Sequence, residues 1–371
     1  MKKVGIITFH ASHNYGSMLQ AYALQQVILG MGYDCEIINF RSAVQKEMYK
    51  PIFMKGTLYG RCVRFIIQSR YAFGIIKKQR LFEEFLKKDL KLSSKEYTTL
   101  EDLENEDFNY DYYISGSDQI WNVIIDDFSL SYFLPFVKSG KCIAYAPSLG
   151  SVLSMRTHEI TRKIPQLLER YDAISVREPT GVQYIESICQ KPVPVVLDPT
   201  MLLNMEKYDK IVGNESLIKG EYIFIYSPHI NEKVYEMAWR LGQKYHKKVV
   251  MSEGLTSKEG ILKWGGKLKI YAAVGPREFL NLCKNASMIC CDSFHAVVFS
   301  ILFRKSFFVL EGMKDDRISN LLKITHLQSR SFSLSDDFLT APLQIDFTDA
   351  FNYLEIEKTK SLNWLKKSLS N

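Results

Sequence analysis

Three residues of this chain pair a chemically useful side chain with a position at the end of an apolar run: His295, Asp118 and Arg177. His295 closes Ile289-Cys290-Cys291-Asp292-Ser293-Phe294-His295, an apolar stretch and a polar break, and the apolar run 297–303 follows at once. An imidazole titrates near neutral pH and so suits proton transfer or contact with an anion. Asp118 lies in Ser115-Gly116-Ser117-Asp118-Gln119, directly after the strand-like Tyr112-Tyr113-Ile114. The glycine lets backbone approach a ligand closely, and the serine and carboxylate place acceptors there. Arg177 ends Ala173-Ile174-Ser175-Val176, and its planar fork matches phosphate or carboxylate. Each also has a plainer role open to it: helix capping for His295 and Asp118, and a salt bridge to Glu178 or a neighbour for Arg177.

The periodicity around these residues predicts the elements that must hold them. Residues 3–9 read as a buried strand, 17–28 as a helix stopped by Gly30 and Gly32, and 33–40 as a second strand. A βαβ unit of that length forces a parallel sheet. Its first loop contains Asn14, Tyr15, Gly16 and Ser17, which offer amide, backbone N–H and hydroxyl groups, or merely cap the helix. Strands follow at 111–116, 141–146 and 173–176, and a helix at 180–187. The polar stretch 204–220 reads as a crossing between domains. A second alternating set comes next: strand 222–226, helix 231–245, strand 248–251, helix 276–285, and the strand, helix and strand of 289–310. Ser227-Pro228-His229 ends the first of these strands as the His10 loop ends the first strand of the other half.

The expected architecture is therefore α/β, two Rossmann-like domains with parallel sheets facing a cleft. The N-terminal domain is expected over 1–204, with 345–371 packing back on it, and the C-terminal domain over 205–344. In such sheets ligands bind outside the carboxyl ends of the strands, where helix N-termini supply N–H groups and a positive dipole end.

Composition narrows the classes of function. The chain has 371 residues, 46% hydrophobic and 24% charged, which suits two globular domains and excludes disorder. A net charge of +7 is compatible with an anionic ligand, but the basic residues are scattered and no nucleic-acid recognition module is present. The seven cysteines form no CxxC pair and sit mostly in apolar stretches, which predicts reduced thiols in a cytoplasmic protein and no metal-ligand set. Residues 60–92 mix Arg and Lys with Phe, Ile and Tyr; a basic amphipathic helix there would reach the inner face of the plasma membrane, or simply pack by one face.

Taken in order, Asn14-Tyr15-Gly16, Leu19-Gln20-Ala21-Tyr22-Ala23-Leu24, Ser115-Gly116-Ser117-Asp118, Ser175-Val176-Arg177-Glu178, Asp198-Pro199-Thr200, Gly275-Pro276-Arg277-Glu278-Phe279-Leu280 and Asp292-Ser293-Phe294-His295 resemble the polysaccharide pyruvyl transferase family over about residues 4–327. The resemblance implies a GT-B-like fold and transfer of a pyruvyl group from phosphoenolpyruvate to a sugar as a ketal, for a cell-surface polysaccharide or exopolysaccharide. Its partners are then phosphoenolpyruvate, as donor substrate and not a cofactor, and a saccharide acceptor, free or lipid-linked. One departure stands out: many members carry Arg-Leu-His where this chain has Ser293-Phe294-His295, so either Arg177, Arg277, Arg304, Lys305 or Arg317 supplies the charge, or the donor differs.

That chemistry needs an acid–base pair and cations for carboxylate and phosphate. On this reading His295 is general acid or phosphate partner, Arg177 clamps the donor anion, and Asp118 takes the acceptor proton or orients its hydroxyl. Asn14, Tyr15, Gly16 and Ser17 line the acceptor side, with Gly116, Ser117, Gln119, His229, Ser293 and Phe294 completing the substrate-binding set. No step demands a metal. The competing readings are a glycosyltransferase using a nucleotide sugar and a non-catalytic sugar-binding homologue.

Overall fold

The computed structural model describes residues 1–49, 71–150, 159–255 and 257–370. The chain divides into two compact units. The first holds Met1–Lys50, Leu86–Leu203 and Glu355–Asn371, and the second Pro51–Phe85 and Asn204–Leu354, counting in each its described residues.

In the first unit a sheet forms from β1 (Lys3–Ile7), β2 (Asp34–Phe40), β3 (Leu92–Tyr97), β4 (Tyr112–Ser115), β5 (Lys141–Ala144) and β6 (Ala173–Ile174), in the order β3-β2-β1-β4-β5-β6. Every pairing is parallel. Between these strands run α1 (Tyr15–Gly30), α2 (Ala43–Met48), α3 (Ala72–Asp89), α4 (Leu100–Glu104) and, before β6, α5 (Ile164–Glu169); α6 (Val182–Cys189) follows β6. Helix α1 is apolar around most of its circumference, and Met18, Leu19, Leu24 and Ile28 are fully buried, as a helix covered on nearly all sides requires.

The second unit repeats the plan. Its strands are β7 (Tyr222–Tyr226), β8 (Lys248–Met251), β9 (Lys269–Ile270), β10 (Met288–Cys291), β11 (Ser306–Leu310) and β12 (Ser331–Phe332), in the order β12-β11-β10-β7-β8-β9. These too are all parallel. The helices are α7 (Met205–Val212), α8 (Glu232–Tyr245), α9 (Lys258–Trp264), α10 (Pro276–Asn285), α11 (Phe294–Leu302) and α12 (Asp316–Ile324). Each sheet thus runs outward from its first strand in one direction and, from its fourth, in the other, which is the strand order of a doubly wound nucleotide-binding fold. The chain reverses between β1 and β4 in one unit and between β7 and β10 in the other. Central strands such as Tyr222–Tyr226 are buried at every residue, as a parallel sheet covered on both faces demands.

The last helix, α13 (Thr348–Ser370), has its carboxyl-terminal part in the first unit. There Ser361 Oγ accepts from Leu197 N at 2.9 Å, Tyr33 Oη donates to Leu369 O at 3.0 Å, and Leu365 and Leu369 are fully buried.

Two local expectations change. The polar stretch 204–220 contains α7, an amphipathic helix that buries Tyr208, Ile211 and Val212 and exposes its charged residues. The expected basic helix over 60–92 is helical from Ala72 to Asp89; its beginning lies outside the described residues. Among the described residues no helix is long and apolar enough to cross a membrane, and the six described cysteines are buried free thiols.

Candidate functional site

A chain that reverses direction between two neighbouring strands leaves a crevice at their carboxyl ends, because the following helices depart to opposite faces. Both units place polar residues there, and each places a carboxylate.

In the first unit Asn14 caps α1: its Oδ1 accepts from Gly16 N at 2.9 Å and Ser17 N at 3.3 Å. Tyr15, Gly16 and Ser17 are all buried, and among them it is the Ser17 side chain that reaches the residue beyond β4. Ser17 Oγ donates to Asp118 Oδ2 at 2.5 Å. Gln20 fixes the same turn from below, accepting from Ser117 N at 3.1 Å and donating to Thr8 Oγ1 at 2.9 Å, while Thr8 Oγ1 donates to Ser117 O at 2.9 Å. Gly116 has φ +132°, and a Cβ there would stand 2.0 Å from Tyr145 O. Asp118 itself has φ 75°, an uncommon conformation for a residue with a side chain, and makes no side-chain cap to the turn of helix that follows. Gln119 is half-buried and accepts from Asn122 Nδ2 at 2.8 Å.

Arg177 lies among carboxylates. Its Nη1 is 2.9 Å from Asp198 Oδ2 and 3.5 Å from Asp118 Oδ1, and its Nε is 3.6 Å from Glu178 Oε2. Burial opposes its charge, but the surrounding carboxylates of Asp118, Asp198 and Glu178 outweigh that penalty and hold its pKa above the ordinary arginine value. Asp198 is anchored in turn, its Oδ1 accepting from Thr200 N at 3.0 Å and Thr200 Oγ1 at 2.6 Å. One guanidinium facing three carboxylates has no surplus positive charge; its closest partner is Asp198, with Asp118 at 3.5 Å.

In the second unit the carboxylate is Asp292, directly after β10. Its Oδ2 accepts from Ser227 Oγ at 3.0 Å and from Asn231 Nδ2 at 3.1 Å, both beyond the end of β7. Asn231 also caps α8 through Lys233 N at 3.1 Å, so the pair is tied to a fixed helix start. Burial raises the pKa of Asp292, with the Asn231 and Ser227 hydrogen bonds and the nearby His229 pulling the other way. Its Oδ1 is buried with no hydrogen-bond partner among the described residues. Ser293 precedes α11 without capping it, Phe294 and His295 form its first turn, and their rings meet edge-on at 5.1 Å. His295 is 7% exposed.

The five cations that could replace the missing arginine are thereby sorted. Arg317 is bound to Asp315 at 2.6 Å. Arg304 and Lys305 precede β11 and so lie at the amino-terminal edge of the sheet, the end opposite Asp292. Arg277, in the first turn of α10, lies on the loop side where strands end and helices begin.

Asp292 and Asp198 were not among the expected site residues. The available signal was a carboxylate immediately after a buried apolar run in each case; what makes it informative is the set of partners, which come from residues 61 and 65 positions away for Asp292 and 21 for Asp198.

Comparison with known proteins agrees with this architecture. The UDP-GlcNAc 2-epimerase of Methanocaldococcus jannaschii superposes with a TM-score of 0.52 at 15% identity, covering 96% of this chain and 93% of that one. An α-glucosyltransferase solved with UDP and a 13-mer DNA gives 0.51 at 10% identity, covering 98% and 94%. At such identities the likeness is one of fold, and the fold is that of GT-B enzymes. No curated protein gives a significant match. The family model for polysaccharide pyruvyl transferase matches residues 14–312, a span that takes in both carboxylate crevices, and the chain belongs to that family.

Proposed function

We propose that the protein transfers the pyruvyl group of phosphoenolpyruvate to two hydroxyls of a saccharide, forming a ketal and releasing phosphate. The observation that carries this reading is the paired Ser17–Asp118 contact, 2.5 Å, held by Arg177 inside a chain of this family. The enol carbon of the donor takes up a proton and becomes a methyl group. A sugar hydroxyl adds at the adjacent carbon, the bond from that carbon to the phosphate oxygen breaks, and the second hydroxyl closes the ring. Of the two hydroxyl protons, one replaces that taken up at the methyl carbon and the other leaves with phosphate.

Asp118 is the acceptor-side base, and its orientation is set by Ser17 and Arg177. His295 is the donor-side acid. Because Arg177 is neutralised, the donor anion is held in the second unit, by the N–H groups opening α11 and by Arg277. Burial raises the pKa of Asp292, which serves the same rim. A cytoplasmic setting with peripheral contact to an anionic membrane is part of the proposal: Phe73 and Ile76 on α3 are 83% and 60% exposed, beside Lys77. Sedimentation with anionic liposomes at low salt, lost in Phe73→Ser/Ile76→Ser, tests that contact.

The reaction is tested by phosphate release from phosphoenolpyruvate with galactose-, mannose- and glucosamine-type acceptors. Thermal stabilisation by UDP-sugars and none by phosphoenolpyruvate would instead favour a nucleotide-sugar glycosyltransferase.

A further inference from the structure

The amino-terminal edge of the second sheet carries a cavity of about 730 Å³ that the proposed reaction does not use. Its wall includes Arg304 and Lys305, which follow α11, together with Ser287, Gln344 and Phe347. Cavities of this size hold small organic ligands, and a bare phosphate would fill only a small part of it.

The charges in the wall are unequally committed. Glu221 is paired with Lys247 at 2.6 Å, and Asp346 Oδ1 accepts from Thr348 N at 2.9 Å at the start of α13. Arg304 and Lys305 have no carboxylate within ion-pair distance among the described residues. Burial, and then the neighbouring Lys284, lower the pKa of Lys305, as expected for a cation whose counter-charge is missing. Lys284 is itself paired with Asp209 at 2.6 Å. The guanidinium of Arg304 is held 4.4 Å over the Phe351 ring, which fixes its fork while leaving its N–H groups for hydrogen bonding.

The backbone of both residues is fixed. Arg304 N donates to Ile301 O at 2.9 Å and Lys305 N to Ser300 O at 2.8 Å, and Arg304 adopts φ 52°, so the two cations close the end of α11 in one geometry. The opposite end of the same helix bears His295.

We propose that this cavity binds a phosphorylated sugar, with its phosphoryl group on Arg304 and Lys305 and its hydroxyls on Ser287 and Gln344. Two adjacent cations match the charge and oxygen count of a phosphoryl group. Polar side chains and an aromatic residue lining one cavity suit the polar edge and apolar face of a sugar ring. The site is separate from the transfer reaction, because it lies at the other edge of the sheet from Asp292 and His295.

Titration calorimetry on the full chain with glucose 6-phosphate, inorganic phosphate and glucose tests the assignment. Glucose 6-phosphate is expected to bind, glucose not to bind, and inorganic phosphate to bind about tenfold or more weakly than the sugar phosphate. Arg304→Gln and Lys305→Gln are each expected to weaken glucose 6-phosphate binding roughly tenfold, with an unchanged melting temperature and unchanged turnover of phosphoenolpyruvate. Gln344→Ala should weaken the sugar phosphate and leave inorganic phosphate alone. Equal affinity for phosphate and glucose 6-phosphate overturns the sugar assignment. Binding that is absent, or that survives both charge substitutions, overturns the site, and the two cations then serve only the end of α11.

Discussion

Asp292 accepts a hydrogen bond from Ser227 at 3.0 Å across the reversal point of the second sheet, and Asp118 accepts one from Ser17 at 2.5 Å across the corresponding point of the first. In both units a carboxylate just beyond the fourth strand is aimed by a hydroxyl that follows the first strand. The difference lies in the surroundings. Asp118 has a guanidinium beside it, whereas Asp292 has only neutral donors and a raised pKa. The two carboxylates therefore sit in electrically different surroundings, the arrangement by which two acids of one chain can be given different tasks.

Removing Arg177 leaves three buried carboxylates without their cation. Arg177→Leu is expected to cost about 3–5 kcal/mol of stability and to abolish activity, and Arg177→Lys to recover little, since an ammonium cannot span Asp198, Asp118 and Glu178 together. Urea unfolding at neutral pH measures the first and phosphate release the second.

Ser17→Ala leaves Asp118 its contact to Arg177 and removes the hydroxyl that aims it. The expected result is a fall in kcat of roughly 10-fold or more with KM for phosphoenolpyruvate little changed, because the acceptor side alone is disturbed. Asp118→Asn should lower kcat by about 100-fold or more. An equal loss in KM for phosphoenolpyruvate would place Asp118 on the donor side.

Gly116 has no room for a side chain. Gly116→Ala would bring a Cβ to 2.0 Å from a backbone oxygen at a positive φ, and a loss of about 3 kcal/mol or more is expected, read by the urea midpoint.

Two of the shifted groups contribute to the pH dependence of stability with opposite signs. Burial lowers the pKa of His10, whose ring lies 3.1 Å from Asn39 Oδ1 and 3.2 Å from Thr8 O. The unfolded chain then binds a proton that the native state refuses, so stability falls as pH drops below about 6.5. His10→Gln should flatten that fall in thermal melts. Burial raises the pKa of Asp292, so its contribution is complete below the ordinary carboxylate value and is lost as pH rises through its native value. The melting temperature of Asp292→Asn relative to wild type should therefore climb with pH over that window.

How much of this was readable beforehand depends on whether a residue's partners lie near it in sequence. The strands ending at Ser115 and Cys291, the helix after Asn14 and the strand 306–310 are legible because buried apolar runs are bracketed by glycine, asparagine or charged breaks. Helix α7 was hidden because its polar residues outnumber the three that it buries, and a short amphipathic helix of that kind looks like a linker. Arg177 could be placed at a strand end, yet its partners Asp118 and Asp198 come from other strands, and only the sheet order brings them within 3.5 Å. The same applies to Asp292, which stands three positions from the expected His295 but takes its character from Ser227 and Asn231.

The proposed transfer from phosphoenolpyruvate depends on both His295 and Asp118. The most direct measurement is phosphate release from phosphoenolpyruvate across the acceptor panel, with wild type and the folded variants His295→Ala and Asp118→Asn side by side. The account predicts acceptor-dependent release by wild type and a loss of about 100-fold or more in each variant. Undiminished release by folded His295→Ala would contradict it.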